Sequence, residues 1–253
     1  MMDGVRNLLR DVGGVSLLSV QTFRAFWKSP VEIFPVIYQL DHAGIQSWSI
    51  TALTALFTGM VLALQFATGL EAYGGSMYTG KLVALGIVRE LGPTLTALLV
   101  GGRVGSGIAA ELGSMVVTEQ VDAIRALGAD PIKKLVAPRV LACTLALPLL
   151  TMLADVVGIF GGMLITMREV GVTSKFFFTQ VKDTLWVVDL MHGLGKSVFF
   201  GYFIGIIGCF VGLQTHGGTE GVGVSTTRAV VVTAITLLIS NYILSTIFVA
   251  VYG

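Results

Sequence analysis

Charge is scarce in this chain. Asp, Glu, Lys and Arg together make up 12% of its 253 residues, and the two signs nearly cancel to a formal +1, against about one quarter charged in ordinary soluble domains. The basic residues lie scattered between apolar runs rather than gathered on one face, which drops nucleic-acid binding. Cysteine is almost missing as well. Cys143 and Cys209 both fall inside apolar runs, which excludes a disulfide framework and indicates no metal site. The three histidines, His42, His192 and His216, are far apart and have no carboxylate or cysteine at ligand-like spacing, so metal binding and histidine catalysis drop out. What remains is oily: 54% hydrophobic, 32 Gly and a mean hydropathy of +0.85.

Runs of about 20 apolar residues are long enough to cross a bilayer. They occur near 45–70, 82–104, 139–166, 196–213 and 228–252, which predicts an all-α integral membrane protein with about five transmembrane helices. Residues 1–253 form one domain in this reading, with interfacial or elbow helices over 1–43 and the transmembrane bundle over 45–252. Leu8, Val12, Val15, Leu18 and Phe23 recur at helical spacing, with Arg6 and Arg10 off that stripe, as in a helix lying in the membrane interface. The stretch "VGGVSLLSVQTF" is broken by polar residues and followed by Arg24 and Lys28, unlike a cleaved signal peptide. Pro30 and Pro35 are expected to break the chain before the first span, and Pro93 and Pro148 to kink the second and third.

Orientation follows from Lys and Arg. Arg6, Arg10, Arg24, Lys28, Arg103, Arg125, Lys133, Lys134, Arg139 and Arg228 fall on one side, and Lys81, Arg168, Lys175, Lys182 and Lys196 on the other. The richer side is cytoplasmic by the positive-inside rule, which puts the N-terminus inside and the C-terminus outside. Small-xxx-small pairs at Gly101/Gly105, Gly158/Gly162, Gly201/Gly205 and Gly208/Gly212 mark close helix packing, within the chain or across a dimer.

One cytoplasmic loop breaks the pattern. "TEQVDAIRALGADPIKKLVAPR", residues 118–139, gathers acids and bases in similar number. Val117, Val121, Ile124 and Leu127/Gly128 recur at helical spacing, while Glu119, Asp122 and Arg125 fall elsewhere, so residues 111–128 read as a short amphipathic element ended by Gly128. A helix lying on lipid would be basic on its polar face. Mixed charge points to a docking surface for a cytoplasmic motor. The motor is not in this chain: "GLGKS" at 193–197 lacks the first glycine of a phosphate-binding loop, its place being taken by Leu190, and no strand precedes it. Lys196 then marks the outer end of the fourth span, and Ser225, Thr226 and Thr227 cap the fifth.

"LVALGIVRELGPTLTALLVGGRVGSGIAAELGSMVVTEQVDAIRALGADP", together with "APRVLACTLALPLLT" and "GVGVSTTRAVV", resembles the MlaE/YrbE permeases of Mce-type ABC transporters, from about residue 40 to the end. "RELGP" followed by "AELG" and "TEQ" carries the likeness. The resemblance implies the MlaE-type ABC permease fold. It also implies a homodimer in the bacterial inner membrane that moves phospholipid between inner and outer membranes and maintains outer-membrane lipid asymmetry. Its implied partners are an ABC ATPase (MlaF-like), a STAS-domain protein (MlaB-like) and a periplasmic hexamer of Mce-domain proteins (MlaD-like). The chain itself would be non-catalytic and hold no cofactor, ATP and Mg being used by the partner ATPase. In that setting Glu111, Glu119 and Gln120, with Asp122 and Arg125, meet the ATPase. "DAIRALG" departs from the coupling loop of general ABC importers, and its spacing to the later proline is shorter.

Arg89 and Glu90 lie within the second span, where ionisable groups are costly and mark function. Adjacent residues diverge around a helix, so each needs a partner other than its neighbour. At about 1.5 Å per residue, Arg89 sits roughly 12 Å inward from Lys81, with Asp155 and Asn241 at similar depth and Gln65 nearer the outer surface. Polar groups on several spans, beside apolar positions such as Leu62, Phe66, Leu82 and Val83, suggest an outward-opening lipid-binding cavity. Two alternatives stand beside it. Arg89 and Asp155 could form a structural bridge, or Arg89, Glu90 and Asp155 could serve an ion- or proton-coupled secondary transporter.

Overall fold

The computed structural model describes the backbone over residues 2–28 and 32–252 and side-chain environments over 10–26 and 32–251. The side chains of Arg6, Leu8 and Lys28, and Pro30 altogether, lie outside the described residues. Among the described residues every regular element is helical. Five segments are long and apolar enough to cross a membrane: Ile33–Glu71, Ser76–Val117, Ile132–Glu169, Val187–Leu213 and Gly218–Val251.

Each segment begins earlier than its apolar run. The first opens with α2 (Ile33–Ala43) and continues through α3 (Trp48–Glu71). Pro35 sits in the first turn of α2, where a missing N–H removes no helical bond, so it starts a helix instead of breaking the chain. The second is built from α4 (Thr79–Gly86), a π-turn over Ile87–Leu91, α5 (Gly92–Val100), a second π-turn over Gly101–Gly105, and α6 (Ser106–Val117). After a short α7 (Gln120–Ala126), a third π-turn at Ile132–Val136 leads into α8 (Ala137–Glu169). α9 (Ser174–Thr184), α10 (Val187–Leu213) and α11 (Gly218–Tyr252) complete the chain.

The fourth span therefore starts two turns before Lys196, and the fifth ten residues before Arg228. Lys196 is not at a span end. Ser225, Thr226 and Thr227 lie inside α11 and do not cap it; the Thr226 and Thr227 hydroxyls donate back to the Gly223 carbonyl, and Thr215 donates to Ser225 at 2.8 Å.

Contacts divide the chain into two compact units. The first collects 1–45, 100–146 and 200–237. It holds α1 (Met2–Lys28), whose buried residues Leu18, Thr22 and Ala25 share a face with Gly14, which lies against the ring of Phe210. Of the stripe expected to meet the membrane interface, Val12 and Phe23 are exposed and Leu18 is buried. On a membrane helix the large apolar residues serve the lipid side and small ones the helix contact. Gly201, Gly205, Gly208 and Gly212 abut α8 or the second span, and Gly101 abuts α10 and α11, so these small-residue pairs pack within the chain.

The second unit collects 46–99, 147–199 and 238–253. Here α3 and α8 cross so closely that a Cβ on Gly59 would overlap the Gly158 carbonyl, and one on Gly161 the Leu56 carbonyl. Ala63, Val83 and Ile87 form a core beside that crossing, with Leu62, Phe66, Ile159 and Ile165 packed on it.

Candidate functional site

The second unit contains a network of buried charge, and proline chemistry creates the need for it. Pro93 has no N–H, so the carbonyl of Arg89, four residues earlier, lacks its usual i+4 donor. The π-turn over Ile87–Leu91 is closed by Gly92 N–H donating to the Ile87 carbonyl, and the freed carbonyls turn toward α10. Gly193 permits the approach: a Cβ there would overlap the Val88 carbonyl. One turn on, the Lys196 ammonium donates to the Arg89 carbonyl at 3.0 Å, to Glu90 Oε1 at 2.7 Å and to Ser245 Oγ at 2.7 Å. Three N–H groups meet three acceptors, and the side chain is fully buried.

Partners for Glu90 come from two helices, α10 and α11. Ser245 on α11 donates to it at 3.0 and 3.2 Å, and Asn241 Nδ2, one turn earlier, at 3.3 Å. Arg89 turns to a different partner. Its Nε donates to Asp189 Oδ1 at 2.5 Å and its Nη2 pairs with the same oxygen. The other oxygen of Asp189 accepts the Trp186 N–H at 2.8 Å, the third residue of α10 reaching back to the residue before the helix as in a capping box. Asp189 and Lys196 are seven residues apart, two turns, and so share a face of α10. Each adjacent charge on the second span thus has its own counter-charge on the fourth.

The alternative Arg89–Asp155 bridge does not form; Asp189 occupies the guanidinium. Asp155 is buried against Gly92, where a Cβ would overlap its Oδ1, and that oxygen has no hydrogen bond among the described residues. Of the residues expected around a cavity, Val83 is fully enclosed in the α3–α8 core with Leu62 and Phe66 beside it, while Gln65 and Leu82 are exposed. The structure brings Glu90 and Asn241 together and leaves Asp155 separate from them. Asp189, Lys196 and Ser245 are the members that sequence reasoning missed. For Asp189 and Lys196 the signal was the shortness of the run 196–213, since a span of 18 residues invites extension backward through Asp189.

The first unit holds the charged loop. Residues 111–128 are not one helix: α6 ends at Val117, Glu119 adopts a left-handed φ of 59°, and α7 restarts at Gln120. A non-glycine residue rarely adopts that region, and the strain persists only where the surrounding structure holds it. Gln120 donates to Thr118 Oγ1 at 3.0 Å, and Arg125 pairs with Asp122 at 2.9 Å on the exposed side of α7. Val121 is buried while Leu127, after the last turn, is 85% exposed. Gly128 (φ 78°) ends the segment, and Asp130 Oδ1 accepts the Ile132 N–H at 2.9 Å.

Glu111 stands apart from that surface. It pairs with Arg139 at 2.8 Å, and Arg139, buried at 5% exposure, also donates to the Leu135 carbonyl at 2.7 Å. This grip clamps α6 to the start of α8 at the two stems of the loop. Lys134 pairs with Glu32 at 2.5 Å, and that bonded ammonium holds the Glu32 carboxyl below the usual glutamate range. Arg228 on α11 pairs with Asp11 on α1 at 2.5 Å.

Comparison with known proteins places both features in one context. The family model described as Permease MlaE matches residues 36–247. A probable ABC transporter permease protein of Rickettsia prowazekii is 40% identical over 239 residues, covering 94% of this chain and 92% of the relative. Another from Synechocystis is 42% identical over 228 residues, 90% of this chain and 87% of the relative. The intermembrane phospholipid transport system permease protein MlaE of Haemophilus influenzae is 38% identical over 216 residues, 85% and 83% of the two chains.

Proposed function

The chain belongs to the MlaE permease family, and from that membership we propose that it is the membrane-spanning subunit of an ATP-driven ABC transporter that moves phospholipids between inner and outer membranes, maintaining outer-membrane lipid asymmetry. It is a multi-pass inner-membrane protein without chemistry of its own; ATP hydrolysis belongs to a separate ATPase subunit. The observation that carries the reading is that the family match, residues 36–247, takes in both the strained loop at Glu119 and the Arg89–Lys196 network. A transporter driven by a partner needs both a surface that receives force and a polar site that meets cargo.

In this reading the N-terminus is cytoplasmic and the C-terminus periplasmic. Glu119, Gln120, Asp122, Arg125 and exposed Leu127 meet an MlaF-like ATPase. Glu111 acts one step back, through Arg139, on the stems of the loop. The subunit works as a homodimer with an MlaB-like STAS protein and an MlaD-like Mce hexamer, and ATP and Mg are used only by the ATPase. The Arg89–Glu90 region takes the lipid headgroup. The alternative, an ion- or proton-coupled secondary transporter using Arg89, Glu90 and Asp155, is disfavoured by the pairing of Arg89 with Asp189 and of Glu90 with Lys196, from which Asp155 stands apart.

Co-expression with an MlaF-like ATPase, purification in mild detergent and reconstitution between two vesicle populations tests the proposal. The expected result is a co-purifying ATPase and ATP-dependent phospholipid transfer. A protein that purifies alone and drives uptake from an ion gradient overturns it.

A further inference from the structure

Resting on the lipid-transport reading, we propose that the Arg89–Glu90 site recognises a zwitterionic phospholipid headgroup bearing a primary ammonium, the phosphate meeting Arg89 and the ammonium meeting Glu90.

The argument begins with which halves of the two ion pairs are presented. In the Arg89–Asp189 pair the side chains are 45% and 2% exposed; in the Lys196–Glu90 pair they are 0% and 42% exposed. One cation and one anion, adjacent in sequence, face outward, and each is backed by a buried counter-charge. The four charges sum to zero. A headgroup with net negative charge would therefore bring a charge that nothing in this cluster offsets, in surroundings where an unpaired charge is costly. A headgroup carrying one phosphate and one ammonium adds none.

Bonding capacity leads to the same chemistry. Asp189 engages Nε and Nη2 of Arg89, so Nη1 has no bond among the described residues. A guanidinium edge with free donors suits a phosphate oxygen. Glu90 has about four acceptor positions, and three donor groups engage it, the single Ser245 proton being shared between both carboxylate oxygens. Its side chain, 42% exposed, stays open to a further donor. Lys196 has none of its three N–H groups left to offer, so it positions Glu90 and does not contact cargo. A free donor beside a free acceptor matches a ligand with an anionic acceptor and an N–H-bearing cation on one short linker. Quaternary ammonium has no N–H and fills only the electrostatic half of that match.

The test uses the full-length chain in detergent, incubated with equimolar phosphatidylethanolamine, phosphatidylcholine and phosphatidylglycerol of identical acyl chains, with retained lipid quantified by mass spectrometry. The natural chain should retain phosphatidylethanolamine over phosphatidylglycerol by about tenfold, the effect of one charge-assisted hydrogen bond with its matched charge, with phosphatidylcholine between. Glu90→Gln should shift retention toward phosphatidylglycerol. If that variant does not fold, Glu90→Gln combined with Lys196→Met removes the pair without stranding a charge, and should bring the ratio close to one. Equal retention of all three lipids by the natural chain, or a ratio unchanged in the double variant, overturns the headgroup assignment while leaving lipid binding intact. Retention of no lipid overturns the transport reading and this inference with it.

Discussion

Replacing Lys196 by Met removes a buried ammonium at nearly constant length, and the structure sets what it leaves behind. Glu90 keeps Ser245 and Asn241, but the Arg89 carbonyl, denied its i+4 donor by Pro93, loses the Lys196 bond. Breaking a buried pair by deleting one partner costs about 3–5 kcal/mol. Because Glu90 is 42% exposed, the low end applies, about 3 kcal/mol. For a chain of this size that lowers the unfolding midpoint by roughly 6–12 °C. Glu90→Gln should cost at least as much, since the stranded charge is then the fully buried one. The double variant exchanges both for neutral groups and should lose far less than the sum of the singles, with a coupling of about 2 kcal/mol or more. Intrinsic-fluorescence melts of the four purified proteins in one detergent complete the cycle. Additive losses would show that Lys196 and Glu90 do not stabilise one another, and the network as described would be wrong.

Three further perturbations test the packing and the loop. Gly59→Ala places a methyl on the Gly158 carbonyl and should destabilise by about 1–3 kcal/mol, whereas Gly69→Ala on the same helix meets open space and should be neutral or gain up to about 1 kcal/mol; melting both against the natural chain checks the contrast. Arg139→Lys cannot hold Glu111 and the Leu135 carbonyl at once, and should cost about 2 kcal/mol in the same assay. Glu32, held below the usual glutamate range by Lys134, contributes stability that is present above its unfolded pKa and lost as pH falls through the folded one. Melts of the natural chain and Glu32→Gln should therefore diverge near neutrality and converge in acid, by a small amount because the pair is exposed.

The number of spans and the helical class were legible because hydrophobic run length reports directly on membrane crossing. So was the peculiarity of the loop, since mixed charge between apolar runs is visible without coordinates. Span starts were not legible. Hydropathy finds where apolar residues are dense, and a helix carrying Asp189, His192 and Lys196 in its first turns looks polar until its partners are known. The strained backbone at Glu119 left no trace in residue type, because the residue most tolerant of a positive φ would have been glycine.

The pairing of the intramembrane charges shows where such reasoning stops. Arg89 and Asp189 are 100 residues apart, and Glu90 and Ser245 are 155 apart; no local spacing rule reaches across three helices. Sequence could establish that each charge needed a partner, from the cost of leaving it bare, but Asp155 was as eligible as Asp189. What separates them is backbone geometry: the π-turn and Pro93 turn a freed carbonyl toward α10, and α10 then supplies both counter-charges from one face. Asp155, buried against Gly92, is left with the opposite problem of a carboxyl oxygen that nothing addresses. The same local defect in a helix therefore decides which charges are silenced and which are presented, and it is the presented ones that a cargo can read.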